Sequence, residues 1–319
     1  MDRRDFLKAG AVVAAGAAVS GLAGTRAFAA GHPAKPRKGR VYSSETGEAT
    51  ADDILVRFLG TGAADWKGRD DRGELRRNCS ILVDSKILVD LTQTVAGMLP
   101  EGFIPEAIFY THSHNDHYNP SAALKAGVKK VYMSDTWYER CRWEFKNAAA
   151  KLGLPMPEFF PLAIGQKVEV EGLSFTALPA NHAAEYEDEQ TLIYLIEKGP
   201  VRILYATDTG GIVARAARLA GIDGHVKDGQ PITGLIMEAT MGMDHDSDYR
   251  MFTHSSVGTV MRTTDAILRK GRLTAPEGQP VYLTHMARTL HGTQADLDAN
   301  LPEPLRAAYD GLEVIFRRP

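Results

Sequence analysis

The sequence predicts an α/β fold in which two sheets pack together and are covered by helices outside. Short β-branched or aromatic runs, bounded by Gly, Asp or polar turns, recur along residues 53–319 and predict strands. These strands fall into hairpin groups separated by helical patterns, an arrangement that favours two sheets with helices outside. A segment of about 270 residues is long for one domain but within range for a two-layer or four-layer α/β architecture.

The elements follow one another in two similar halves. The first half predicts strands at 54–59, 80–83, 86–91, 107–111 and 130–133. A helix is predicted over 135–152, with Asp135 as its N-cap and Gly153 just past its end. The second half predicts strands at 168–170, 173–178, 192–197, 201–206, 235–237, 281–283 and 314–316. Helices are expected near 211–219 and 255–270, and Lys198-Gly199-Pro200 predicts a hairpin turn.

The first 29 residues predict an export signal. Arg3-Arg4 precede Phe-Leu-Lys, an Ala/Gly/Val segment spans 9–24, and Ala-Phe-Ala ends at Ala29 as a small-residue cleavage site. The apolar segment is short and rich in Ala and Gly, whereas a membrane span needs about 20 strongly apolar residues, so we expect no stable membrane anchor. The twin-arginine export machinery is the predicted partner, and the mature protein is predicted to be periplasmic or secreted.

Residues 30–52 are polar and carry no periodic pattern, and they predict a flexible lead-in to a single domain at 53–319. The chain has 37 basic and 40 acidic residues, of which four basic and two acidic lie in the first 29. The remaining 33 basic and 38 acidic residues give a net charge of −5. Such a surface does not attract nucleic acid in general, so we expect no specific nucleic-acid partner.

The two cysteines, Cys79 and Cys141, leave two interpretations open. They could pair in an oxidising compartment, but Cys79 lies in a strand-like run and Cys141 in a helical one, which equally suits buried free thiols. Neither cysteine has a partner at the spacing of a Cys-based zinc site.

A cluster of three histidines and one carboxylate predicts a metal site. Residues 111–117 read Thr-His-Ser-His-Asn-Asp-His and follow the apolar run 107–110. Imidazole beside a carboxylate favours zinc, manganese or iron over calcium or magnesium. His112 and His114 face the same side of an extended chain, while Asp116 and His117 follow in the turn. A dinuclear centre is the natural interpretation, and a His-rich polar loop is the alternative.

Three further ligands are predicted in the second half. His182, Asp208 and His285 each follow a predicted hydrophobic strand and precede a loop. All three side chains can therefore converge on one edge of the sheets. Taken singly, each could equally be a core or capping residue, but their shared context favours metal binding.

With these residues placed, the chain resembles the metallo-β-lactamase fold superfamily over essentially the whole domain. The segments 58–64 (Phe-Leu-Gly-Thr-Gly-Ala-Ala), 76–80 (Arg-Arg-Asn-Cys-Ser) and 237–240 (Met-Glu-Ala-Thr) look most like its ribonuclease Z and cyclic-phosphodiesterase branch. The resemblance implies a four-layer αββα sandwich and two divalent ions, zinc being expected and manganese or iron being alternatives. It implies one ion on His112, His114 and His182, a second on Asp116, His117 and His285, and Asp208 as the bridge.

Two positions refine the resemblance. A glutamate in place of His114 would indicate a diiron oxidoreductase of the same fold, so His114 indicates hydrolysis. Asn119-Pro120 departs from the glycine that commonly follows the motif, which affects the expected shape of that loop.

The implied chemistry is hydrolysis. Two cations lower the pKa of a shared water from about 15.7 toward 7 and polarise the substrate, and Asp116 is expected to orient the resulting hydroxide. The segment 253–256 (Thr-His-Ser-Ser) resembles the one in which ribonuclease Z-like enzymes carry a catalytic histidine. Our hypothesis is that His254 donates the proton to the leaving group and that Glu238 fixes its tautomer. The alternative is that His254 caps a helix.

The sequence thus predicts an exported dinuclear-zinc hydrolase that acts on a small-molecule phosphodiester. A lactone, β-lactam or other ester hydrolase is one alternative, and a metal-dependent carrier or binding module is another. Arg288 could hold a phosphate, although a solvated loop arginine is favoured, and His245 is expected at the surface. The charged loops 65–77 and 185–190 are expected to rim the pocket. The sequence makes no prediction of oligomeric state.

Overall fold

Two seven-stranded mixed sheets form the centre of the computed structural model, which describes residues 42–275 and 278–318. The predicted export signal and the first part of the lead-in lie outside the described residues. The first sheet has the order β14-β1-β2-β3-β4-β5-β6. Its strands are Ile54–Gly60 (β1), Ser80–Val83 (β2), Ile87–Val89 (β3), Ala107–Phe109 (β4), Lys130–Ser134 (β5), Glu158–Leu162 (β6) and Glu313–Phe316 (β14).

The second sheet has the order β7-β8-β9-β10-β11-β12-β13. Its strands are Lys167–Val170 (β7), Leu173–Pro179 (β8), Leu192–Lys198 (β9), Val201–Ala206 (β10), Gly234–Glu238 (β11), Val281–Thr284 (β12) and Leu305–Ala307 (β13). The predicted hairpin turn is confirmed, because β9 and β10 pair antiparallel with Lys198 opposite Val201.

The two halves of the chain repeat one strand pattern. In the first half β1, β2 and β3 pair antiparallel, and β3 to β6 pair parallel. In the second half β8, β9 and β10 pair antiparallel, and β10 to β13 pair parallel. Strand β3 therefore corresponds to β10, β4 to β11 and β5 to β12.

Helices cover both outer faces, as the predicted four-layer sandwich requires. They are Gln93–Ala96 (α1), Pro120–Lys125 (α2), Tyr138–Leu152 (α3), Ala214–Leu219 (α4), Val257–Arg269 (α5) and Gln294–Asn300 (α6), with single 3₁₀ turns at Ser43–Glu45 and Tyr249–Phe252. Phe145 of α3 packs in one apolar cluster with Ile108 of the first sheet. Val260 of α5 packs in another with Leu204 of the second sheet.

A third apolar cluster fills the space between the sheets. Ile203 and Tyr205 point into it, whereas Leu204 between them joins the outer cluster, as the two-residue period of a strand dictates. The Phe109 and Phe175 rings, one from each sheet, stack with their centroids 4.0 Å apart. Burying apolar side chains from both sheets fixes the sheets face to face.

Several predicted boundaries are corrected by the structure. The helix expected from Asp135 begins at Tyr138, because residues 134–137 form a turn in which Trp137 is buried and donates its backbone N–H to the carbonyl of Ser134. Strands β6 and β13 were not predicted. Both are sheet edges, and β6 contains Pro161, which an edge strand tolerates but a sequence pattern counts against.

Part of the expected lead-in is held in place. Ser44 is buried, and its hydroxyl lies 2.7 Å from that of Tyr282. Glu45 pairs with Arg306 at 3.1 Å. These residues of the lead-in therefore contact the domain.

Cys79 and Cys141 are both free and buried, which settles the two interpretations in favour of thiols. Within the described ranges, no helix is both long and apolar enough to cross a membrane.

Candidate metal centre

The seven predicted ligands meet at one edge of the two sheets. The run His112–His117 follows β4, while His182, Asp208 and His285 follow β8, β10 and β12. Strands β8, β10, β11 and β12 run in the same direction, so their carboxyl ends share this edge. A single segment of the first half thus faces three separate strand ends of the second.

Three histidines form one group of potential ligands. His112 Nε2 lies 2.9 Å from His114 Nδ1, and His114 Nδ1 lies 3.2 Å from His182 Nε2. Burial holds the pKa of His112 well below its usual range. The pKa values of His114 and His182 are also lowered, again chiefly by burial. Burial thus favours neutral imidazole, the form that binds metal ions.

Asp116, His117 and His285 form the second group. Asp116 Oδ2 lies 3.4 Å from His285 Nε2 and 3.5 Å from His117 Nε2. Asp208 lies between the groups, with Oδ2 at 3.0 Å from His117 Nε2 and Oδ1 at 3.8 Å from His182 Nε2. In both groups the potential ligand atoms lie within 4.8 Å of one another. The donor set is the mixture of imidazole and carboxylate that zinc, manganese and iron accept.

The surroundings of His117 Nε2 favour a bound cation. Its Nε2 is buried and has no hydrogen-bond partner among the described residues. Burial lowers the pKa of His117, but Asp208, Asp116 and Asp90 more than offset this and raise it well above its usual range. The described ion-pair partners of these three carboxylates are all histidines. An orphan imidazole nitrogen among buried carboxylates is what a metal ligand needs.

Backbone strain marks two of the strand ends. Asp208 has φ +48° and His285 has φ +51°, in the left-handed region that residues other than glycine seldom adopt. Such conformations cost about 1–3 kcal/mol each and persist only where surrounding contacts fix them. Here both side chains are directed into the cluster.

His254 and Glu238 meet beside the cluster. His254 Nδ1 lies 3.1 Å from Glu238 Oε2, and its ring centroid is 4.7 Å from that of His182. Glu238 is fully buried and also accepts the N–H of Thr209 and the hydroxyl of Thr240. Burial lowers the pKa of His254, but Glu238, together with Asp208 and Asp116, outweighs it and raises the pKa to about 9. The cap of α5 is Ser256, whose side chain accepts the N–H of Thr259, so His254 does not cap the helix.

Three residues around the cluster were not predicted. Asp90, directly after β3, accepts the Nδ1–H of His117 at 2.7 Å. Thr240 bonds Glu238 and lies 2.8 Å from His285 Nδ1. Glu189 accepts the N–H of Ser113 at 2.8 Å and its hydroxyl at 2.5 Å. Of the three, only Asp90 could have been recognised from the sequence, because burying a carboxylate inside an apolar strand pattern costs free energy unless it has partners.

The two loops expected to rim the pocket lie next to the ligand-bearing segments. In the first loop Asp65 accepts the backbone N–H of Arg288 at 2.9 Å, and the Arg288 side chain donates to the carbonyl of Arg69 at 3.4 Å. Glu189 ties the second loop to Ser113. His245 is half-buried and belongs to none of the potential metal groups found in the described part of the chain.

The departure at Asn119-Pro120 has a structural explanation. Asn119 caps α2 by accepting the N–H of Ala122 at 2.9 Å, and Pro120 occupies the first helical position. Both residues suit a helix start, because Asn is a good cap and Pro lacks only an N–H that would be unpaired there. The loop therefore ends in a helix where a glycine is more common.

Two mixed sheets with helices outside and a His/Asp cluster at one edge define a metallo-β-lactamase fold protein. The family described as "Beta-lactamase superfamily domain" matches residues 98–285, more than half of the 319 residues, and the chain belongs to it. A twin-arginine translocation signal sequence matches residues 1–20 and implies export across a membrane by that pathway. No curated protein matches the sequence significantly.

Solved structures share the fold at low sequence identity. The metallo-β-lactamase fold protein YhfI from Bacillus subtilis has a TM-score of 0.59 and 16% identity, covering 83% of this chain and 99% of that one. Human tRNase Z, short form, gives 0.58 and 15%, covering 83% and 99%. Zn²⁺-bound PqqB from Methylobacterium extorquens gives 0.59 and 17%, covering 82% and 99%. At these identities the similarity establishes the architecture.

Proposed function

We propose that the protein is an exported hydrolase that uses two divalent cations, expected to be zinc, to cleave small-molecule phosphodiesters. The observation that carries this proposal is the contact between His254 and Glu238 beside the donor cluster. A protein that only binds or carries metal has no need of a protonated, oriented imidazole at that position. The family and the export signal support the broader assignment to exported metallo-β-lactamase fold proteins.

The donor set fits two cations. His112, His114 and His182 would hold one, Asp116, His117 and His285 would hold the other, and Asp208 would contact both. When bound, two such cations supply a water of lowered pKa and polarise an oxygen of the substrate. Asp116 would then orient the attacking water, since its carboxylate belongs to the second group and lies 3.4 Å from His285 Nε2.

His254 has the properties of a proton donor to the leaving group. Glu238 accepts from Nδ1, so Nε2 is left to face the substrate, and the carboxylate holds that tautomer. A pKa raised to about 9 keeps the imidazole protonated at neutral pH, and nearby dications would lower that value toward the range of an efficient acid. Thr240, which bonds Glu238 and lies 3.2 Å from His254 Nδ1, helps to fix the pair.

The test compares three substrates on one zinc-loaded preparation of known metal content. Bis(p-nitrophenyl) phosphate should be hydrolysed, whereas a lactone and nitrocefin should be poorer substrates. His254→Ala should lower kcat about a hundred- to ten-thousandfold while two ions stay bound. The loss should be larger for an alcohol leaving group than for p-nitrophenolate, which departs without a proton.

His245→Ala is the matched control, because this histidine lies nearby in the chain but outside the potential metal groups. It should change neither activity nor metal content. Full activity in His254→Ala, or loss of metal from it, would contradict the assigned role. Turnover of the lactone or nitrocefin alone would favour the ester-hydrolase alternative, and turnover of nothing by fully metallated protein would favour a binding module.

A further inference from the structure

An exposed apolar patch lies on the segment that joins β11 to α5. Tyr249 is 75% exposed, Phe252 74% and Met251 48%. We call these three residues the apolar rim. Large apolar side chains exposed side by side are uncommon on soluble proteins and mark binding surfaces more often than isolated ones do.

The apolar rim adjoins the proposed catalytic groups. The backbone of Phe252 lies close to Gly210, which is two residues past Asp208. A Cβ placed on Gly210 would be only 3.1 Å from the carbonyl oxygen of Phe252. The next carbonyl, that of Thr253, lies 3.1 Å from His182 Nδ1. His254 follows directly. The segment that carries the rim thus lies beside His182 and leads directly into His254.

The segment is held firmly although its apolar side chains face outward. Asp248 accepts the backbone N–H of Arg250 at 2.9 Å and pairs with its guanidinium, which stacks 4.7 Å from the Tyr249 ring centroid. The backbone N–H of His254 donates to the Arg250 carbonyl at 2.8 Å. Ser255 ties the end of the segment to Thr209 at 2.7 Å. A preformed surface of this kind binds without the entropic cost of ordering a loop.

We propose that the apolar rim binds an aromatic or other apolar group of the substrate, on the leaving-group side of the scissile bond. The inference rests on the proposed function, because it places this group relative to the proton donor. It narrows the substrate class to phosphodiesters that carry an apolar or aromatic alcohol. An aromatic substituent suits Tyr249 and Phe252 best, since ring pairs add about 0.5–1.5 kcal/mol beyond burial of area.

The test measures binding rather than turnover. Zinc-loaded protein is titrated calorimetrically with phenylphosphonate and with methylphosphonate, which share the anionic group and differ in the apolar substituent. The wild type should bind phenylphosphonate more tightly. Phe252→Ala and Tyr249→Ala should each reduce that preference about three- to tenfold, by the magnitude of one ring contact. Trp143→Ala, which removes an aromatic side chain that is 64% exposed on α3, should leave it unchanged.

The outcomes separate the rim from the proposed function. An equal affinity for both phosphonates, or a preference that survives both rim variants, overturns the inference. A preference for phenylphosphonate without any phosphodiester turnover would support binding at the rim and contradict the proposed function. Phosphodiester turnover without that preference would support the proposed function and contradict binding at the rim. Analytical ultracentrifugation tests the competing occupant: a dimer that Phe252→Ala converts to monomer would make the rim an interface between two copies and overturn the inference.

Discussion

Asp90 and Asp208 occupy comparable places in the two halves of the chain but do different things. Each follows the strand that leads into the parallel part of its half, β3 or β10, and each adopts a positive φ, +60° and +48°. Both are buried and both contact His117, Asp90 at Nδ1 and Asp208 at Nε2. The repeated topology has therefore placed one carboxylate on either side of the same imidazole.

Their surroundings separate the two roles. Asp90 is enclosed by protein donors, since it also accepts the N–H and the hydroxyl of Thr111 at 2.8 Å each, and burial raises its pKa. Asp208 faces the histidines of the cluster. Burial would raise its pKa too, but His117 and His285 hold it well below the usual range. A saturated carboxylate orients a ligand, whereas one that faces several histidines is available to cations.

Replacing Asp208 should have the largest effect. In Asp208→Asn the proposed bridge loses its charge, so we expect metal content to fall from two ions to one or none and turnover to fall at least about a thousandfold. Metal analysis by mass spectrometry and hydrolysis of bis(p-nitrophenyl) phosphate measure both. Asp84→Asn is the matched control, because Asp84 also has a positive φ, +48°, but bonds Leu55 and Lys198 instead. A variant at 208 that retained two ions would contradict the bridging role.

Replacing Asp90 should have an intermediate effect. The Asp90 carboxylate accepts the Nδ1–H of His117, which leaves the lone pair for a metal ion on Nε2. The amide of an asparagine can instead donate an N–H to Nδ1 and so favour the opposite tautomer. Asp90→Asn should bind the second ion about 10- to 100-fold more weakly while the first site is little changed. Competition with a zinc chelator measures the two affinities. Equal weakening of both sites would show that Asp90 acts on the fold as a whole.

The cluster His112–His117 could be predicted because it is contiguous and its chemistry is visible in six neighbouring residues. His182, Asp208 and His285 were predictable because each follows a strongly apolar strand, and the carboxyl ends of strands that run the same way meet at one edge. Their convergence in the structure agrees with that logic. The strong strands of both sheets were predictable for the same reason, since their apolar pattern has the period of a strand.

The remaining features depend on contacts between distant segments. Glu189 reaches Ser113 across 76 positions of the chain, and nothing local distinguishes it from the exposed acidic residues beside it. The residue type of Thr240 does not distinguish it from other polar loop residues. Edge strands such as β13 are short and gain order from their neighbour, so their sequences carry little pattern of their own.

Glu189→Gln should have the smallest effect on the metal centre. It tests how the contact between Glu189 and Ser113 stabilises the ligand-bearing segment of the first half. Burial raises the pKa of Glu189 to about 7, despite the bonds from Ser113. The folded state therefore binds this proton more tightly than the unfolded chain, in which the pKa is about 4.5, so the contribution of Glu189 to wild-type stability falls as pH rises from about 4.5 to 7. Glutamine keeps a donor and an acceptor for Ser113 but never ionises. The variant should therefore gain up to about 3 kcal/mol in unfolding free energy, relative to the wild type, across that window and stay level above it.

Urea unfolding at several pH values, with zinc at one fixed excess, measures this difference, and turnover at pH 7.5 should stay near that of the wild type. Glu187→Gln on the same loop is the control, since Glu187 is exposed and its replacement should leave the pH profile unchanged. Parallel stability curves for Glu189→Gln and the wild type would show that Glu189 is ionised at no cost. Ser113 would then be held by an ionised carboxylate at every tested pH well above 4.5.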